Sequence, residues 1–303
     1  MRRTSLVLLA LLAVCSSPTF CLQIVCTTTI VGDVVSQVAG ETHELIVLLS
    51  SDADPHAFEP TAADLVAIAR ADVVFLNGAT LEAELDSILE NASGDVVSLS
   101  DELALRHIDP SEHGRSESPQ HSHDESIDPH VWFDPTYVSV WVDRIASVLA
   151  AQDPLHEAAY RTRADNYQSS LTELDTWIRS QVADLPPEHR TLVTDHAMFG
   201  YFASRYGFDQ VGTVFPGLSS LSEPSARELA TLEQTILALD VPALFVGTTV
   251  NRVLAEQVAT DTGTRIVTLY TGALSSQDGP AGSYLDLMRY NVIAIVEALS
   301  RTP

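Results

Sequence analysis

Two segments of this chain carry the same triplet. Asp54-Pro55-His56 lies within DADPHAFEP, and Asp128-Pro129-His130 lies within SIDPHVWFDP. Each histidine follows a proline that interrupts regular structure. Each also precedes a residue suited to cap a helix, Thr61 in the first case and Asp134 in the second. A third histidine, His196 in LVTDHAMFGYF, follows an apolar run and leads into another helix. One loop histidine alone is ordinarily a polar surface residue. Three in matching contexts suggest a site, because neutral imidazole is a good ligand for Zn(II) and three of them leave a fourth position for a carboxylate or water. The three cysteines, Cys15, Cys21 and Cys26, all fall near the start of the chain. They form neither a disulfide framework nor a metal motif. A metal would therefore be held by histidine and carboxylate.

The elements around these histidines alternate. LQIVCTT leads into IVGDVVSQVAG, ELIVLL leads through the first triplet into PTAADLVAIARA, and DVVFLN leads into LEAELDSILENA before DVVSL. Short apolar runs followed by helix-period runs predict a parallel sheet with helices on both faces. All three histidines then sit on connections that enter helices, the side of an α/β sheet where ligands bind. Residues 107–130 break the pattern: they are polar, lack hydrophobic period and hold five of the ten histidines, which is a loop composition with affinity for metal. After Asp153-Pro154, apolar residues recur every three or four positions from Leu155 to Leu185, and Pro186-Pro187 ends the run. That spacing predicts one helix of about 30 residues, ~45 Å long. The alternation resumes with TLVTD, DQVGTVF, ALFVG and RIVTL, each followed by a helical segment. The expected architecture is α/β: two αβ lobes with mainly parallel sheets, joined by one long rigid spine helix, with the metal site in the cleft between lobes. The boundaries are 22–150 for the first lobe, 151–186 for the linking helix and 187–303 for the second lobe.

Residues 1–21 read as a secretory signal peptide: Arg2 and Arg3, an apolar stretch from Leu6 to Val14, then small residues. A lipoprotein signal ending at Cys15 or Cys21 is the alternative, and a lipid anchor would then be the protein's link to the membrane. Cys26, in LQIVC, reads as a buried strand residue. The remainder holds no apolar run of the ~18 to 20 residues that a membrane-spanning helix needs. The full chain of 303 residues carries 41 acidic against 16 basic side chains, a net charge of −25. That excess argues against nucleic acid or an anionic membrane surface as partner.

DPHAFEPTAADL, DPHVWFDP, LVTDHAMFGYFASRYGF and SEPSARELATL resemble the zinc and manganese substrate-binding proteins of ABC importers, over nearly all of the mature chain. The resemblance implies two αβ lobes on a spine helix. It also implies that His56, His130 and His196 are metal ligands, with histidine at position 196 leaning toward zinc over manganese. Partners would be an ABC permease and its ATPase subunit, and the protein would act as a monomer in the periplasm or on the outer face of the cytoplasmic membrane. Family members usually place an aspartate after the last strand and often a glutamate after ALFV; here those positions are Gly272 and Gly247. The fourth ligand is then Asp278, in the same loop, or water. Asp195 and Glu59 flank ligand positions and are candidates to orient imidazoles; His43, His156 and His189 read as surface residues. Two other functions compete: a surface adhesin, and a zinc hydrolase. The hydrolase would need a general base beside the metal-bound water, and no HExxH helix supplies one.

Overall fold

The structure is a computed structural model and describes residues 21–51, 53–107 and 127–300. The segment before Cys21, expected to be a signal peptide, and the His-rich stretch 108–126 lie outside the described residues. Two four-stranded parallel sheets form the frame. The first orders β1 (Gln23–Cys26), β2 (Glu44–Val47), β3 (Val73–Leu76) and β4 (Asp95–Ser98) as β2-β1-β3-β4. The second orders β5 (Thr191–Thr194), β6 (Asp209–Thr213), β7 (Ala243–Gly247) and β8 (Arg265–Leu269) as β6-β5-β7-β8. The chain thus makes the same move twice: out to one edge, then back across the starting strand. In each sheet this reversal opens a crevice at the carboxyl ends of the two central strands. Central strands β3 and β7 are buried along their whole length, which is why they read as continuous apolar runs. Cys26 ends β1 fully buried, and burial pushes its thiol pKa up.

The described helices are α1 (Thr29–Ala39), α2 (Ala62–Arg70), α3 (Asp86–Leu89), α4 (Pro135–Gln152), α5 (Glu157–Ala183), α6 (Gly200–Tyr206), α7 (Ala226–Ala238), α8 (Val253–Thr262) and α9 (Tyr284–Ser300). Both expected caps form. Thr61 and Asp64 make a reciprocal capping box on α2, and Asp134 accepts from the Thr136 amide at the start of α4. The helix expected over LEAELDSILENA shrinks to a 3₁₀ turn and the single turn of α3. The reason lies just before it. Gly78, Ala79 and Thr80 form a left-handed turn with φ of 80°, 52° and 68°. The Glu82 carboxylate is drawn into the interior, where it accepts from Thr27 Oγ1 (2.7 Å), Asn77 N (2.8 Å) and Gly78 N (3.0 Å).

The spine is α5, whose 27 residues reach ~40 Å at 1.5 Å each. Its buried stripe runs Tyr160, Ala164, Tyr167, Leu171, Leu174, Ile178 and Val182. Arg163 near one end donates to the carbonyls of Val38 and Ala39, closing α1 of the first lobe. Asp175 nearer the other end accepts from Arg205 and Tyr206 of α6 in the second lobe. One continuous apolar core runs through α1, α4, α5, α9 and the inner faces of both sheets. The outer faces have separate smaller cores beneath α2 and α3, and beneath α7 and α8.

Two of the three histidines expected at the surface are part of a network. His43 takes the Leu22 amide on Nδ1 and meets the Tyr160 hydroxyl, which donates to the buried Asp153; His156 donates to the same carboxylate. The network ties the first strand's entry to the α4–α5 junction. Sequence could not show it, because its members come from distant elements.

Candidate metal centre

His56, His130 and His196 point their Nε2 atoms at one another. The Nε2 atoms of His56 and His130 are 3.2 Å apart, as are those of His130 and His196. The three rings have centroids 5.1 to 5.3 Å apart. Four-coordinate Zn(II) with bonds of ~2.0–2.1 Å places its ligand nitrogens ~3.3 Å from each other. The observed spacing is therefore that of donors around one small cation. Among the described residues this is the one cluster of three or more potential ligating side chains.

Each imidazole arrives from a different connection. His56 lies in a 3₁₀ turn, Pro55–Ala57, between β2 and α2. His130 immediately precedes the turn that leads into α4. His196 lies two residues beyond the end of β5, at the crevice of the second sheet. Trp132, Met198, Val250 and Pro55 supply apolar wall, with Thr249, Thr271 and Gly272 completing the rim.

The two Asp-Pro-His triplets share one bond. In each, the aspartate Oδ1 accepts the histidine amide at 3.0 Å. They differ in what else the carboxylate does. Asp128 Oδ1 also takes the His130 Nδ1 proton, at 2.9 Å. Asp195 does the same for His196, its other oxygen accepting the Gly247 amide at 2.6 Å. With Nδ1 protonated toward a carboxylate, the Nε2 lone pair is free to face a cation, and the ring orientation is fixed. Asp54 instead turns its second oxygen to the Ser220 hydroxyl across the cleft.

Burial governs the electrostatics. It lowers the His130 pKa well below the usual imidazole range, with His196 and His56 adding to the effect. It lowers that of His56 to about 4, reinforced by His196. Both imidazoles are thus neutral, as ligation requires. Burial also raises the Asp128 pKa to about 7, against the stabilising His130 amide.

Asp278 sits exposed on a turn and does not line the cavity. Glu59 is also exposed, whereas Asp195 holds an imidazole. Sequence reading missed Asp128 in that role, although its position within the second triplet was a usable signal. It also missed Asn77, whose side chain donates to the Pro129 carbonyl at 3.0 Å and so steadies the His130 loop. The glycines at the two departures from the family pattern are tightly enclosed. A Cβ on Gly272 would lie 2.7 Å from Pro55 Cδ, and one on Gly247 would lie 2.4 Å from Thr271 Oγ1.

Residues 24–298 match the family described as zinc-uptake complex component A, periplasmic. The chain belongs to this family. The family is one of transport components rather than of enzymes. The manganese-binding lipoprotein MntA of Halalkalibacterium halodurans is 34% identical over 282 residues, covering 92% of this chain and 89% of that protein. The zinc-binding protein TroA of Treponema pallidum is 30% identical over 288 residues, covering 92% and 89%. Among solved structures, periplasmic zinc-binding TroA superposes with a TM-score of 0.81 at 27% identity, covering 93% of this chain and all of that one. A manganese-bound periplasmic metal-binding protein from Candidatus Liberibacter asiaticus gives 0.77 at 25% identity, covering 91% and 98%. No helix among the described residues is long and apolar enough to cross a membrane.

Proposed function

We propose that this family member captures Zn(II) outside the cytoplasmic membrane and delivers it to an ABC permease driven by its ATPase subunit. His56, His130 and His196 are the protein ligands in this reading. The observation that carries it is the convergence of three imidazoles, the Nε2 atoms of His56 and His196 each 3.2 Å from that of His130. The donor set supports zinc. Three imidazole nitrogens suit borderline Zn(II), while Mn(II) favours oxygen donors. Manganese is the second reading, favoured by the likeness to manganese-binding MntA.

Of the two candidates for the fourth position, water fits the placement better, since Asp278 is exposed on its turn outside the cavity lining. A role in transport rather than catalysis fits the state of the carboxylate described in the cavity lining. Asp54 is the carboxylate lining the cavity, and both its oxygens accept hydrogen bonds. An ionised carboxylate so engaged is poorly placed to activate a metal-bound water.

Zinc titration of the purified mature protein tests the reading. One equivalent should bind tightly, and free zinc at about 1,000 times Kd should add about 4 kcal/mol to stability. His56→Ala, His130→Ala and His196→Ala should each remove most of that gain. Wild-type affinity in all three variants would overturn the assignment.

A further inference from the structure

We propose that the Asp54–Ser220 hydrogen bond is the closing latch of the metal site, and that it sets how fast the metal leaves by holding the His56 loop from the opposite lobe. This rests on the reading of the three histidines as metal ligands.

The three imidazoles are not held equally. His130 and His196 each have Nδ1 against a buried aspartate from their own lobe. Their loops belong to the rigid interior, where both histidines are buried. His56 has no such carboxylate among the described partners and remains partly exposed. Its amide is held by Asp54, whose Oδ1 accepts it. The other oxygen of that carboxylate receives the Ser220 hydroxyl of the second lobe. One side chain therefore joins a ligand's backbone to the far wall of the cleft. Pro55, between them, lies close against Gly272 of the second lobe.

The rear of the cleft is fastened separately. Tyr284 donates its hydroxyl to the Trp132 carbonyl and its amide to Asp33, and Arg205 bridges Asp134 and Asp175. These bonds lie on the helical layer that both lobes share. Opening the mouth at Ser220 requires none of them to break. The His56 turn is then the mobile arm: with the latch made, three imidazoles surround the metal; with it broken, two remain, and the metal can escape. A permease that displaces Ser220 would promote release without unfolding either lobe.

Release is measured by stopped-flow transfer of Zn(II) from the loaded, full-length mature protein to an excess of fluorescent chelator. Ser220→Ala removes the donor and leaves Asp54 and its bond to the His56 amide in place. Loss of a hydrogen bond to a charged acceptor should speed release about tenfold, with association changed far less. Ser220→Thr keeps a hydroxyl and should restore slow release. Ser219→Ala, a neighbour in the same loop, should release metal like the wild type. Hydrogen exchange at residues 54–58 should rise in Ser220→Ala and stay unchanged at residues 128–131. Unchanged release in Ser220→Ala, in a protein whose wild type binds zinc, would overturn the latch. Equal acceleration in Ser219→Ala would overturn it too, by showing that the loop's general order is responsible. A wild type that binds no zinc would overturn the underlying metal-site reading instead.

Discussion

Adding a single methyl group at Gly272 should weaken metal binding although it touches no ligand. The Cβ of alanine there would lie 2.7 Å from Pro55 Cδ and 3.1 Å from Cγ. Carbon atoms at rest sit ~3.5–4.0 Å apart, so the overlap is about 1 Å. The proline ring cannot rotate away, and its neighbour is His56. Gly272 has no left-handed backbone, so relief must come from parting the two loops. Overpacking of this kind costs about 1–3 kcal/mol, charged here to the state in which His56 faces the other imidazoles. At 1.4 kcal/mol per tenfold, zinc affinity should fall about 5- to 150-fold. Competition against a chelating dye at pH 7.5 measures it. Gly272→Asp carries the same Cβ but adds a carboxylate, which can enter the fourth position and offset part of the loss. It should therefore bind more tightly than Gly272→Ala. Wild-type affinity in Gly272→Ala would refute the argument, because it would mean that the loops are not held at this separation when metal binds.

Other outcomes follow from the same geometry. A solvated imidazole loses its metal as pH falls through ~6.5, but burial lowers the free His56 pKa to about 4. Protonation of His56 should thus cost zinc affinity only as pH nears 4, read by zinc titration across that range. The metal-free fold should behave differently. Between ~6.5 and about 4 the unfolded chain binds a proton at this residue that the folded one refuses, so stability in urea should decline as pH drops through that window. Asp128→Asn removes the charged acceptor of His130 Nδ1 and should weaken zinc binding about 10- to 100-fold, read by the same dye competition. Glu82→Ala leaves three donors at Thr27, Asn77 and Gly78 without their acceptor. It should destabilise the first lobe by about 3 kcal/mol or more in denaturant unfolding, and a change below 1 kcal/mol would contradict the role given to that carboxylate.

Much of the architecture was legible because it is written in local patterns. Most of the described strands are short apolar runs bounded by turns, and α5 is a stripe of three- and four-residue spacings from Tyr160 to Val182. Thr61 and Asp134 could be read as caps because capping is decided within a few residues. His56, His130 and His196 could be singled out because their triplets and flanking breaks repeat. The failures lay where a long-range contact overrode local preference. LEAELDSILENA has helical period, yet Glu82 is drawn inward by the distant Thr27 hydroxyl together with the amides of Asn77 and Gly78 just upstream, and the helix starts late. His43 looks like a surface residue, yet Tyr160 holds it from α5.

The sequence by itself determined which elements form and which side chains can ligate, since both depend on residue type and near neighbours. Only the tertiary structure decided that three loops from two lobes meet at 3.2 Å, that Asp128 and Asp195 fix two of the rings, and that Asp54 reaches across to Ser220. The identical triplets at 54–56 and 128–130 show why. The same aspartate-to-amide bond forms in both, but Asp54 gives its second oxygen to Ser220 of the other lobe whereas Asp128 engages the imidazole of its own triplet, a difference that depends on what the surrounding fold brings near.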